Sequence, residues 1–147
     1  MPLETVFSFT SFLAVFGWLQ LVLLPKHPIA RTLAGVIVPL ALAAAYLFLI
    51  VQNFAGAPGG FGSLADVALL FSRRELLLAG WIHYLAFDLF IGAWEIRDSQ
   101  QHQIPHLVMI PCLAMTFMLG PIGLLFYFAI RTAKSRTVSD TFPESAI

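Results

Sequence analysis

Four long apolar runs, separated by short polar or glycine- and proline-rich breaks, dominate the chain. A hydrocarbon core about 30 Å thick needs about 20 apolar residues as helix, and each run meets that length. The first covers residues 5–24 (TVFSFTSFLAVFGWLQLVLL), carries no charge and stops at PKHP. The second covers residues 31–51 and contains Pro39, which a buried membrane helix tolerates through a kink. The third covers residues 76–97. The fourth covers residues 105–131, with Pro105 suited to a first helical turn. The pattern predicts an all-α integral membrane fold of four transmembrane helices within residues 1–135, then a polar tail over 136–147. An even number of spans puts both termini on one side. The first run has Glu4 and no basic residue ahead of it, and PKHP where small cleavage-site residues would stand, so it reads as a span and not a cleaved signal. Between the second and third runs, NFAGAPGGFGS reads as a flexible turn, and SLADVALLFSRRE as a short interfacial helix capped by Ser63.

Composition narrows the function classes. Apolar residues make up 59% of the 147 and charged residues 11%, and the mean hydropathy is +0.87. Such a chain is neither disordered, nor a nucleic-acid binder, nor an ordinary soluble enzyme. Eight basic residues balance eight acidic ones, so no net field attracts polyanions. The single cysteine, Cys112, allows no internal disulfide. With four spans, Arg73, Arg74, Arg131, Lys134 and Arg136 fall on one side and Lys26, Arg31 and Arg97 on the other. That excess predicts cytoplasmic termini, and a bacterial inner membrane is the expected location.

Charge deep in a membrane helix costs about 2.5–3.5 kcal/mol per group on insertion scales, so it marks function or a specific partner. The third run concentrates it: Asp88 near the centre, His83 before it, and Glu95 toward the far end. At 100° per residue Trp81, Tyr84, Asp88, Gly92 and Glu95 share one face, within about 80°. His83 lies about 140° round from Asp88 and does not form a ladder pair with it. Folding the third and fourth helices about Gln101 sets Asp88 level with Thr116, Glu95 with His106, and His83 with Gly120. Pro111 and the GPIG sequence of residues 120–123 interrupt the fourth run, and Pro121 leaves the Phe117 carbonyl without its helical donor. Broken backbone at membrane depth is tolerated where it lines a cavity. These features point to a site between the third and fourth helices: Asp88 and His83 as the proton-transfer pair, and Trp81, Tyr84, Glu95, Thr116, Gly120 and Pro121 as binding residues.

Plainer roles compete for several of these residues. A membrane histidine often bonds a carbonyl across helices. Interfacial tryptophans and tyrosines anchor helices, and a proline kink can serve packing alone. Glu95 and His106 near an interface are usually solvated or structural. His83, Asp88, Glu95, His102 and His106 are ligand types without ligand spacing, so neither a metal site nor a cofactor is expected.

GWIHYLAFDLF (residues 80–90) followed by GPIG (residues 120–123) resembles the small membrane proteins typified by plant plastid neoxanthin synthase, the abscisic-acid-deficiency family, and their bacterial relatives. The likeness covers most of the chain and is strongest over residues 71–127. It implies a four-helix membrane fold and, for the plant members, a part in converting violaxanthin to neoxanthin. That isomerisation opens an epoxide while a carbon loses a proton, so it needs an acid and a base. Trp81, His83, Asp88, Leu89, Phe90, Pro121 and Gly123 match the family pattern. Ala93 stands where the plant pattern has arginine, and Glu95 follows it. The leading expectation is an isomerase of carotenoids or related isoprenoids. A lipid- or pigment-binding protein or assembly partner without catalysis comes second, and a small proton-coupled carrier third. The expected partners are membrane lipid and a carotenoid or isoprenoid, with a homo-oligomer left open.

Overall fold

The computed structural model describes residues 2–135; the tail predicted over 136–147 lies outside them. All described elements are helical: α1 (Leu3–Leu23), α2 (Pro28–Asn53), α3 (Leu64–Leu70), α4 (Arg74–Gln101), α5 (His106–Leu119) and α6 (Pro121–Ser135). Helices α1, α2 and α4 are long and apolar enough to cross a membrane.

Local chemistry sets their ends. The α1 helix closes with the Leu24 amide bonding the Gln20 carbonyl, and Pro25 follows. Pro28 opens α2, where its missing N–H costs nothing. Pro39 lies inside α2 and would clash with the Gly35 carbonyl one turn back. The helix answers with a π-helical turn over Leu33–Ile37, which takes up the mismatch. Ser63 caps α3 as its pattern predicts: its hydroxyl oxygen accepts from the Asp66 amide at 3.1 Å.

The long helix α4 is the axis of the bundle. Helix α2 packs along it with Ala34, Gly35, Val38 and Leu42, all buried. Helix α1 crosses it through close complements. A Cβ on Gly92 would come within 2.5 Å of the Trp18 ring, so only glycine lets that ring seat against the helix. Small residues at helix crossings are what membrane packing uses, because lipid gives helices no hydrophobic reason to associate.

The fourth expected span is not one helix. Gly120 adopts φ +50°, ψ −103°, and the chain reverses there. Pro121 begins a new helix and does not kink an old one. A Cβ on Gly123 would run into the Thr116 backbone, so the two arms meet closely at the bend. Each arm, with 14 and 15 residues, is about 21–22 Å long, short of the bilayer core. The end of α6 returns to the beginning of α5: Lys134 bonds the Gln103 carbonyl, and Arg131 reaches His102. Among the described residues there are therefore three long helices and a shorter helical hairpin. The start of α1, which pairs Glu4 with Arg74, and the end of α6 lie at opposite ends of the bundle. The fourth expected span is thus divided among the described residues into two shorter helices joined at Gly120. Both arms are apolar, so sequence pattern alone did not separate a bend from a reversal.

Candidate functional site

Polar side chains line the contact between α4 and the hairpin. At its tip, the Tyr84 hydroxyl donates to the Phe117 carbonyl at 3.0 Å. That is the carbonyl Pro121 leaves without a helical donor, so the hydroxyl supplies the missing bond. One turn along the same face of α4, the Asp88 carboxylate rests on Gly120, where a Cβ would lie 3.1 Å from Oδ1. Asp88 is the fifteenth of the 28 residues of α4, close to mid-helix. Its Oδ2 is buried, and the Tyr84 hydroxyl one turn back interacts with this carboxylate. It also stands at the N-terminal end of α6, where the helix dipole favours negative charge.

Farther along α4, Glu95 is fully buried, and its carboxylate accepts from the Thr116 hydroxyl at 3.0 and 3.1 Å. Asp88 and Glu95 are about 10 Å apart along the helix axis. Beyond them Asp98, 4% exposed, holds Arg131, 0% exposed, with Nε 2.9 Å from Oδ2. The Tyr127 hydroxyl donates to the same carboxylate. Arg131 Nη2 lies 3.2 Å from His102 Nε2. A guanidinium has no acceptor, so Nε2 must carry the lone pair. Nδ1–H then donates to the Asp98 carbonyl at 2.9 Å. This cluster fastens the open end of the hairpin to α4.

Because the hairpin stops halfway, the other half of the α1–α4 face is left open. A groove of about 470 Å³ runs there beneath the tip, between Ser11 and Val15 on α1, Trp81 and Tyr84 on α4, and Phe117 and Leu119 on α5. Its lining is mostly apolar. The Trp81 indole N–H donates to Ser11 Oγ across it at 3.3 Å. A second recess of about 290 Å³ continues along Phe7, Leu77 and Trp81 to the surface pair Glu4–Arg74.

Of the residues singled out in the sequence, Trp81, Tyr84, Asp88 and Gly120 gather at the groove and tip. Glu95 and Thr116 meet behind them. Pro121 is exposed at the start of α6. His83 does not join the group. It is exposed on the far side of α4, stacked on Phe87 at 4.5 Å and beside Tyr46 at 5.6 Å. The depth partners differ too: Asp88 meets Gly120, and Glu95 meets Thr116 instead of His106. The turn is centred between Gln101 and His106 rather than at Gln101, which moves every partner toward the C-terminus. His106 instead bonds the Val22 carbonyl at 2.8 Å, tying α5 to the end of α1. Cys112 is buried in the core. Among the described residues, no group of three or more His, Cys, Asp or Glu is arranged to hold a metal ion.

Asp98, His102, Tyr127 and Arg131 were missed by sequence reasoning. Arg131 read as a flanking charge, Asp98 as an acid near the interface, His102 as a ligand type without ligand spacing, and Tyr127 as an anchoring or packing residue. The usable signal was the Gly-Pro pair at 120–121, a helix stop followed by a helix start.

Fold and site together define an apolar helical protein of membrane type, with a carboxylate at mid-helix one turn from the Tyr84 that lines an open apolar groove. The chain belongs to the ABA DEFICIENT 4-like family, whose profile matches residues 5–127. That places it with neoxanthin synthase-like proteins at family level. No curated protein and no solved structure gives a significant match.

Proposed function

We propose that this protein binds a carotenoid or related isoprenoid in the α1–α4 groove, with the polar end group of the ligand at Asp88, and isomerises it by acid–base chemistry. The observation that carries the reading is the short hairpin. It leaves Asp88, a mid-helix acid in contact with Tyr84, one helical turn from an apolar groove that Tyr84 lines. A long hydrocarbon fits the groove lining, and its oxygen would meet Asp88 and Tyr84. In an epoxide-opening isomerisation, one proton goes to the epoxide oxygen as the C–O bond breaks. Another leaves carbon as its C–H electron pair becomes the new double bond, so nothing is oxidised or reduced. Asp88 is one partner in that exchange. The Tyr84 hydroxyl, on the same face of α4, is better placed than His83 to be the other.

The test is conversion of an epoxy-carotenoid by the full chain in proteoliposomes. General acid–base groups contribute about 10²–10⁴-fold, so Asp88→Asn should lose at least about 10²-fold, and His83→Ala should stay close to wild type. Full turnover by Asp88→Asn would sink the scheme. Pigment retained by the wild type with no product would favour the second reading, a binding protein without catalysis, which the same groove supports.

The hairpin also bears on orientation. It brings Arg131 and Lys134 to the end that holds Lys26, Arg31 and Arg97, leaving Arg73 and Arg74 at the other. By the positive-inside rule the PKHP end then faces the cytoplasm and the start of α1 faces outward. We propose this orientation in place of cytoplasmic termini on both ends. The Phe71 end of α3 would lie along the outer headgroups.

A further inference from the structure

We infer a second binding site at the PKHP end, specific for a phosphate group, which in the membrane is the headgroup of an anionic phospholipid. A recess of about 360 Å³ opens there between the α1–α2 loop and the α4–α5 loop, where Lys26, Ser99, Gln100, Gln103 and His106 stand beside Pro25, Ile104 and Pro105. It lies at the opposite end of the bundle from the groove surface marked by Glu4 and Arg74, and it plays no part in the isomerase reading.

Three observations support a phosphate there. The first is charge. Lys26, Arg31, Arg97 and Lys134 are exposed at this end. The acid among them, Asp98, is buried and taken up by Arg131, Tyr127 and His102. No acidic side chain pairs with Lys26 among the described residues. The second is donor capacity. Gln100 spends one amide N–H on the Pro25 carbonyl at 2.9 Å and keeps the other. Lys26 brings three N–H groups, and the Gln103 amide adds two more. Phosphate oxygens only accept, so a donor-rich recess suits them. The third is backbone geometry. Gln103 holds φ +53°, in the left-handed region that a side-chain-bearing residue rarely adopts. The Ile104 amide, bonded to the Ser99 carbonyl at 2.8 Å, fixes that turn at the recess wall. Basic pockets between membrane helices on the cytoplasmic side are a known form of anionic-headgroup recognition.

The experiment reconstitutes the full chain in nanodiscs of phosphatidylcholine with one-fifth phosphatidylglycerol and counts retained lipids by native mass spectrometry. A cation near the surface changes affinity roughly fivefold. Lys26→Ala should therefore lower phosphatidylglycerol retention about that much and Lys26→Glu more, while Gln103→Ala, which removes neutral donors only, should lower it less. Arg97→Ala, an exposed cation outside the recess, removes only the diffuse part of that attraction and should cost clearly less than Lys26→Ala. Equal losses in Lys26→Ala and Arg97→Ala would mean diffuse surface attraction and overturn the site, as would retention indifferent to Lys26. A second arm titrates inorganic phosphate into nanodiscs of phosphatidylcholine alone and follows thermal stabilisation. Stabilisation that Lys26→Ala abolishes supports the phosphate recess with free phosphate as its source. Selective lipid retention without it supports the headgroup.

Discussion

The Asp98–Arg131 pair gives the sharpest test of the hairpin. Both side chains are essentially out of contact with solvent, at 4% and 0% exposure, and the guanidinium Nε lies 2.9 Å from the carboxylate. Breaking a buried ion pair from one side leaves an uncompensated charge in a low-dielectric interior, at about 3–5 kcal/mol. Arg131→Met keeps much of the side-chain length and removes the cation from Asp98. It should destabilise the protein by that amount, most of which should return when Asp98→Leu is added, because removing both charges can be nearly neutral. The coupling in this double-mutant cycle is what distinguishes a direct pair from two independent sites. Unfolding by SDS titration in mixed micelles, followed by circular dichroism, reads it. Single-mutant losses under about 1 kcal/mol, or losses that simply add, would mean that α6 does not return to α4. The hairpin would then fail with it.

Other predictions follow from the same geometry. Reporter fusions at the start of α1 and after α6 should score on opposite sides of the membrane, with the PKHP loop cytoplasmic; reporters on one side would restore four spans. Gly120→Ala forces an L-residue into positive φ and sets a Cβ 3.1 Å from Asp88 Oδ1. It should cost about 1–2 kcal/mol in the same unfolding assay. Gly92→Val, whose Cβ would lie 2.5 Å from Trp18, should cost about 1–3 kcal/mol as overpacking. Trp18→Ala in the same chain should return part of that loss, and a cost unaffected by Trp18 would refute the contact.

How much of this was legible beforehand depends on whether a feature is local. The 100° rule put Trp81, Tyr84, Asp88, Gly92 and Glu95 on one face, and they do share the side of α4 toward α1 and the hairpin. The stranded Phe117 carbonyl followed from Pro121 alone, and the structure answers it with Tyr84. The separation of His83 from Asp88 was equally readable from azimuth. The reversal at Gly120 was not, because period and hydropathy are the same whether two apolar helices continue or fold back. A positive φ at one residue decides it, and glycine permits that φ without announcing it. The burial of Asp98 and Arg131 depends on the reversal in turn. Each residue stands alone at the end of an apolar run, and only the returning arm makes them partners.

The length of the hairpin ties these observations together. A fourth helix crossing the whole bilayer would cover α4 from end to end and enclose Asp88 among side chains. Its carboxylate would then need a fixed partner or would stay neutral and inert. A hairpin whose arms reach about 21–22 Å ends beside Asp88 instead, at the fifteenth residue of a 28-residue helix. That acid rests on Gly120, one turn along α4 from Tyr84, which lines the groove. The Asp98–Arg131 cluster sets where the hairpin is anchored, and the arm length sets where its tip stops. Those two quantities fix where the hairpin tip stands against Asp88 and Tyr84, so residues remote from the groove set the geometry at its end.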